Sequence, residues 1–137
     1  MISNNIKDTI AYAREIASQA KPGDIICLDG ELGVGKTVFA KGFAEGLGIK
    51  DPITSPTFTI MNIYDSGRLP LYHYDVYRIE DESEMDELGY EEYFFGNGVT
   101  LVEWASQIPG CIPENAVHIV IKKDPVKGDD YREITCS

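Results

Sequence analysis

Positive charge is scarce in this sequence. Only 12 side chains are basic against 23 acidic, a formal charge of −11, so the protein as a whole repels phosphate backbones, which argues against direct, unaided nucleic-acid binding. Long apolar runs are missing too: none approaches the roughly 18 residues of a membrane span. The opening MISNNIKDTI has neither the basic start nor the apolar stretch of a signal peptide. The expectation is a cytoplasmic protein with no membrane partner. The three cysteines, Cys27, Cys111 and Cys136, are odd in number and lack metal-ligand spacing; this argues against a disulfide framework and predicts free thiols in a reducing compartment. No repeat, low-complexity tract or long linker interrupts the 137 residues, of which 43% are hydrophobic. That is the size of one ordinary domain, expected to span 1–137 around a single core.

What is present reads as alternating helix and strand. Ile10, Ala13, Ile16 and Ala17 stand at helical spacing before the break KPGD, which predicts a helix from about Asn5 to Ala20. DIICLD, Asp24 to Asp29, is an apolar run bounded by turn residues, the pattern of a strand buried on both faces. From Lys36, the residues Val38, Phe39, Phe43, Ala44 and Leu47 form a helical stripe that Gly48 can stop. Two aromatic and β-branched runs around DSGR predict a hairpin with its turn at Asp65 to Arg68. GVTLVE, Gly98 to Glu103, reads as a buried strand, and AVHIVIKKD with DYREITC as a closing pair, so the sheet is mixed. Between hairpin and buried strand, Glu80 to Glu92 holds eight acids and no base, most simply a solvated helix face.

The most specific signal is GELGVGKT, Gly30 to Thr37. Gly30, Gly35, Lys36 and Thr37 satisfy the P-loop pattern G-x-x-x-x-G-K-[ST], set between a predicted strand and a predicted helix. Glycines let backbone N–H groups close around phosphate oxygens, and the helix start adds its positive dipole end. Lys36 is expected to reach the β and γ phosphates and Thr37 to offer its hydroxyl to Mg²⁺. The nucleotide site is therefore predicted over Gly30, Glu31, Leu32, Gly33, Val34, Gly35, Lys36, Thr37 and Val38.

Such a loop needs an acid near the metal and a group that orients the attacking water, both usually at strand ends. LYHYD ends in Asp75 and VTLVE in Glu103. On a period of two, Asp75 shares a face with Leu71 and His73, and Glu103 with Val99 and Leu101. The same acids could be ordinary exposed residues just past a strand. ITSPTFT places Thr54, Ser55, Thr57 and Thr59 where a switch loop would lie, although turn chemistry explains it equally. Neither His73 nor His118 is assigned chemistry. Trp104, the sole tryptophan, reads as core or interface.

GELGVGKT, SPTFT, YHYDVYRI, ELGYEEYF and LVEWA, in this order and at these spacings, resemble the TsaE (YjeE) family, the small bacterial ATPase subunits of the tRNA threonylcarbamoyladenosine machinery. The resemblance implies an α/β, P-loop NTPase-like three-layer sandwich with a mixed, partly antiparallel central sheet. It also implies ATP or ADP with Mg²⁺ as cofactors, and slow hydrolysis in support of two partner proteins, TsaD and TsaB, with tRNA met only through that complex. Carried over by matching positions, Lys36, Asp75 and Glu103 are the expected catalytic residues. Thr37, Asp75 and Glu103 form the metal set, with Asp75 in the Walker B role and Glu103 serving the metal or the water it activates. Ser55 and Thr57 match the switch-like loop, and the family's layout points to Asn5 to Thr9 for the adenine. The chain departs from the family at Val38, where a second hydroxyl residue often follows the P-loop threonine; an α-phosphate contact there falls to the backbone N–H. Two other functions share these motifs. A small-molecule kinase needs cations over the transferring phosphoryl group, and only Arg14, Arg68, Arg78 and Arg132 are available. A nucleotide-gated binding module uses every residue above without turnover.

Overall fold

The computed structural model describes residues 1–31, 35–56 and 60–137. Its centre is one seven-stranded sheet in the order β1-β7-β6-β2-β5-β4-β3. The strands are β1 (Ile2–Ser3), β2 (Ile25–Asp29), β3 (Met61–Tyr64), β4 (Leu71–Asp75), β5 (Val99–Glu103), β6 (Val117–Lys123) and β7 (Arg132–Cys136). The middle pairs, β6-β2, β2-β5 and β5-β4, are parallel, and the flanking pairs β4-β3, β6-β7 and β7-β1 are antiparallel. Buried parallel strands need apolar residues on both faces, and β2 meets the need: Ile26 and Leu28 face one core cluster, Ile25 and Cys27 the other.

The first cluster is covered by α1 (Ile6–Ser18) and α2 (Lys36–Gly46), through Ala13, Ala17, Phe39, Phe43 and Ala44. The second is covered by α3 (Ser83–Glu87), α4 (Tyr90–Phe94) and a 3-10 turn at Ala105–Gln107, through Met85, Phe94 and Ala105. Helices on both faces of a mixed sheet give the three-layer, P-loop NTPase-like α/β architecture that the sequence predicts. Among the described residues no helix is long and apolar enough to cross a membrane.

The two helices of the first layer meet closely because α2 turns glycines towards α1. A Cβ built on Gly42 would lie 2.8 Å from the Ile10 carbonyl oxygen and 3.0 Å from the Ala13 Cβ. Two effects compete in Gly42→Ala. Helix propensity favours alanine by about 1 kcal/mol, whereas overpacking against backbone that cannot rotate away costs about 1–3 kcal/mol. The clash should win, so urea unfolding of Gly42→Ala is expected at a lower midpoint; an unchanged or higher midpoint would show that the helices can separate without cost.

Three local features differ from the sequence reading. The hairpin loop runs through Pro70 instead of closing at Arg68, because it is tied to the helix layer: the Arg68 N–H donates to Leu47 O at 2.8 Å, and its guanidinium donates to Ala17 O at 2.7 Å and Ala20 O at 3.0 Å. The acidic stretch forms two short helices, broken at Gly89 (φ +65°), instead of one face. Two residues at the N-terminus add β1, which pairs Ile2 with Glu133.

Candidate functional site

β2 ends at Asp29, and Gly30 and Glu31 follow it out of the sheet. Leu32, Gly33 and Val34, predicted for the nucleotide, lie outside the described residues, as do Thr57 and Thr59 of the switch-like segment. Gly35 takes φ +107°, a left-handed backbone that side chains resist, and α2 begins at Lys36 with no side-chain cap and no acid in its first turn. Its first N–H groups and the positive end of its dipole are thus left for an anion.

Lys36 is only 6% exposed. Its Nζ donates to Gly30 O at 2.5 Å and lies 3.4 Å from the centre of the Trp104 ring, a cation–π contact. Burial lowers the ammonium pKa below the ordinary lysine value, while Glu103, Asp75 and Asp29 pull it upward. Thr37 is exposed, with Oγ1 3.4 Å from Ser55 Oγ, so Ser55 lies at the helix start.

Asp75 and Glu103 are paired in register on the adjacent parallel strands β4 and β5. In-register neighbours project to the same side of a sheet, and Leu71, Val99 and Leu101 of the same rows belong to the α1–α2 cluster. Both carboxylates therefore emerge on the side from which α2 brings Lys36. Glu103 is 3% exposed, and its Oε2 lies 2.6 Å from Nε2 of the fully buried His73. Asp75 is half-buried, and its Oδ1 accepts the Tyr77 N–H at 3.1 Å. Its pKa is raised above the usual carboxylate value, chiefly by burial and further by Glu103, against the lowering effects of the Tyr77 N–H, His73 and Lys36.

Backbone strain is concentrated here. Among the described residues the two non-glycine positions with positive φ are Trp104 (+62°) and Ile60 (+66°). Trp104 directly follows Glu103, and Ile60 O accepts the Asp75 N–H at 2.8 Å. Such conformations cost about 1–3 kcal/mol each and persist where the surroundings fix them. Tyr77 packs on Trp104 with ring centres 4.8 Å apart, so the indole contacts both the lysine ammonium and a second ring.

One cleft of about 290 Å³ is lined by Gly35, Lys36, Thr37, Val38, Ser55, Asp75, Glu103 and Trp104. Residues predicted from four separate motifs thus share one surface. On its other side, Gly35 and Val38 line a second cleft with Asn5, Ile6, Thr9, Asp130 and Arg132, which includes part of the segment expected for adenine. A larger cavity of about 530 Å³ runs between Gly30, Trp104 and the end of β6, but it lacks Lys36, Thr37 and both strand-end carboxylates. The residue that sequence reasoning passed over is His73. Its signal was available: it stands two positions before Asp75, on the same face of the strand.

The profile of the family described as threonylcarbamoyl adenosine biosynthesis protein TsaE matches residues 3–134. The chain is 57% identical over 131 residues to the tRNA threonylcarbamoyladenosine biosynthesis protein TsaE of Bacillus subtilis, covering 96% of this chain and 80% of that protein. It is 40% identical over 134 residues to the protein of the same name from Treponema pallidum, covering 98% and 96%. Among solved structures, the crystal structure of Bacillus subtilis YdiB superposes with a TM-score of 0.82 at 50% identity, over 99% of this chain and 82% of that one.

Proposed function

The chain belongs to the TsaE family of threonylcarbamoyl adenosine biosynthesis proteins, and from that premise we propose that it is a P-loop ATPase serving tRNA threonylcarbamoyladenosine biosynthesis. In this reading it binds MgATP, hydrolyses it slowly, and supports a partner transferase formed by TsaB and TsaD. The observation that carries the reading is the single cleft that joins the uncapped start of α2, Lys36 and Thr37 to the in-register pair Asp75 and Glu103.

The residues fit both groups. Gly35 gives the left-handed turn that aims α2 at an anion, and Lys36 is a buried donor beside it. Among the described residues no cluster of three or more His, Cys, Asp or Glu side chains forms a metal cage. Mg²⁺ needs none, since it is commonly held by one or two carboxylates together with waters and substrate phosphates. Thr37, Asp75 and Glu103 would supply the protein donors, and the ion would neutralise charge on the phosphoryl oxygens. Two half-buried or buried carboxylates, one of them with a raised pKa, form a site where added positive charge is favourable.

Two of the four arginines that a kinase reading would need are engaged elsewhere. Arg14 is engaged with Glu45 at 2.7 Å, and Arg68 caps the end of α1. The acidic segment is partly structural, since Glu84 accepts the N–H groups of Glu80 and Asp81, and Glu82 that of Gly110. Its remaining exposed acids suit steering of a basic partner surface, an effect that fades as salt rises.

Trp104 makes binding measurable. Phosphate oxygens compete with the indole and with Gly30 O for the same ammonium, so MgATP is expected to change the emission of the sole tryptophan. Phosphate release should be slow for the protein alone and rise when TsaB, TsaD and tRNA are added. Binding with no release under any condition would leave a nucleotide-gated module; fast release by the isolated protein would rule out gating by partners.

A further inference from the structure

His73 has no place in the P-loop chemistry described above, yet it is fully buried in the same layer. Nε2 lies 2.6 Å from Glu103 Oε2, and Nδ1 is buried without a hydrogen-bond partner among the described residues. The geometry favours one tautomer. A proton on Nδ1, in the imidazolium or in the other tautomer, would bury an N–H with no acceptor, the costlier and rarer kind of orphan. A bare Nδ1 lone pair costs less. A ring with its hydrogen on Nε2 donates to Glu103 Oε2 and leaves only that lone pair unmet.

The consequence lies in Glu103. A glutamate side chain is long and loses considerable rotamer freedom when held in one place, and a charge-assisted hydrogen bond is strong enough to hold it. Oε2 is occupied by His73, while Oε1 makes no hydrogen bond among the described residues. We propose that His73 is the positioning residue of the site: by holding Oε2 it presents Oε1 of Glu103 to the water or metal in the cleft. The idea rests on the ATPase reading for its catalytic consequence, but not for the bond itself.

The test therefore has two arms. In the nucleotide-free protein, ring ¹⁵N signals should show His73 as the Nε2–H tautomer. With only two histidines in the chain, a His118→Gln variant completes the assignment. Glu103→Gln, which replaces the carboxylate by an amide, should shift the His73 ring signals and leave those of His118 in place. The other tautomer, or His73 signals indifferent to Glu103, overturns the proposal whether or not the protein hydrolyses ATP.

In the second arm, turnover is measured with TsaB, TsaD and tRNA. His73→Phe keeps a planar ring without the donor, and kcat should fall by about 10- to 100-fold with little change in the KM for ATP. His73→Gln, whose amide nitrogen reaches nearly the same point as Nε2, should restore most of the loss. In a Glu103→Gln background the His73→Phe change should add little, because the two act as a unit. A merely structural histidine would give losses that add in that background and that follow unfolding midpoints, and this result overturns the proposal. If wild-type protein shows no turnover, the ATPase reading fails, and the ring signals alone decide whether His73 holds Glu103.

Discussion

Lys36→Ala should weaken MgATP binding by about 10- to 150-fold, the value of a charge-assisted hydrogen bond to phosphate, without a matching loss of fold. Two terms oppose each other in stability. The variant loses the cation–π contact with Trp104, about 0.5–2 kcal/mol. It also removes a buried ammonium that the fold disfavours, since burial lowers the Lys36 pKa. The sign follows from linkage. With the folded pKa below the unfolded one, the unfolded chain binds more protons in the alkaline window between them, so Lys36 makes stability rise with pH there. Lys36→Ala should lack that rise. Isothermal titration with MgATP, beside urea unfolding at neutral and alkaline pH, checks both parts. Wild-type affinity in a folded Lys36→Ala protein would remove the lysine from the nucleotide site.

The sequence carried the parts of this site that are local. A strand, a glycine-rich turn and a helical stripe occur within 30 residues of each other, and the period of two put Asp75 with Leu71 and His73, and Glu103 with Val99 and Leu101, on the faces where the structure has them. The long-range parts were hidden. The bond from His73 to Glu103 depends on the register of β4 against β5, which sets His73 opposite Leu101, and no pattern within either strand contains that alignment. Lys36 over Trp104 depends on the left-handed backbone at Trp104, a conformation that an aromatic residue does not announce. Asp130 and Arg132 join Asn5 and Thr9 beside Gly35 because β7 pairs with β1, and a two-residue strand leaves no periodic trace. The hairpin loop was misjudged for a related reason: its end is set by carbonyls of the helix layer, not by its own turn residues.

The two strand-end carboxylates should separate in their kinetics although their Cα positions are paired. Asp75 is half-buried with one oxygen on the Tyr77 N–H and lines the same cleft as the exposed Thr37, a placement suited to a hydrated ion. Glu103 is 3% exposed with one oxygen on His73, a geometry better suited to orienting a single water. With TsaB and TsaD present, Asp75→Asn should lower turnover and raise the Mg²⁺ concentration needed for half-maximal rate. Glu103→Gln should reduce kcat by about 10²- to 10³-fold at any Mg²⁺ concentration. Stability should move differently from activity. Because the folded environment raises the Asp75 pKa, its ionised form is a cost to the fold above that value. Replacing it by a neutral amide should leave the urea midpoint at neutral pH at or above that of the parent, as happens where function is built on strain. Glu103→Gln keeps an oxygen that can accept from His73, so it should also fold. Parental turnover in both variants would take the carboxylates out of the chemistry. Equal Mg²⁺ dependence in the two would mean instead that they share the ion, and that His73 positions a metal ligand, not a water-orienting group.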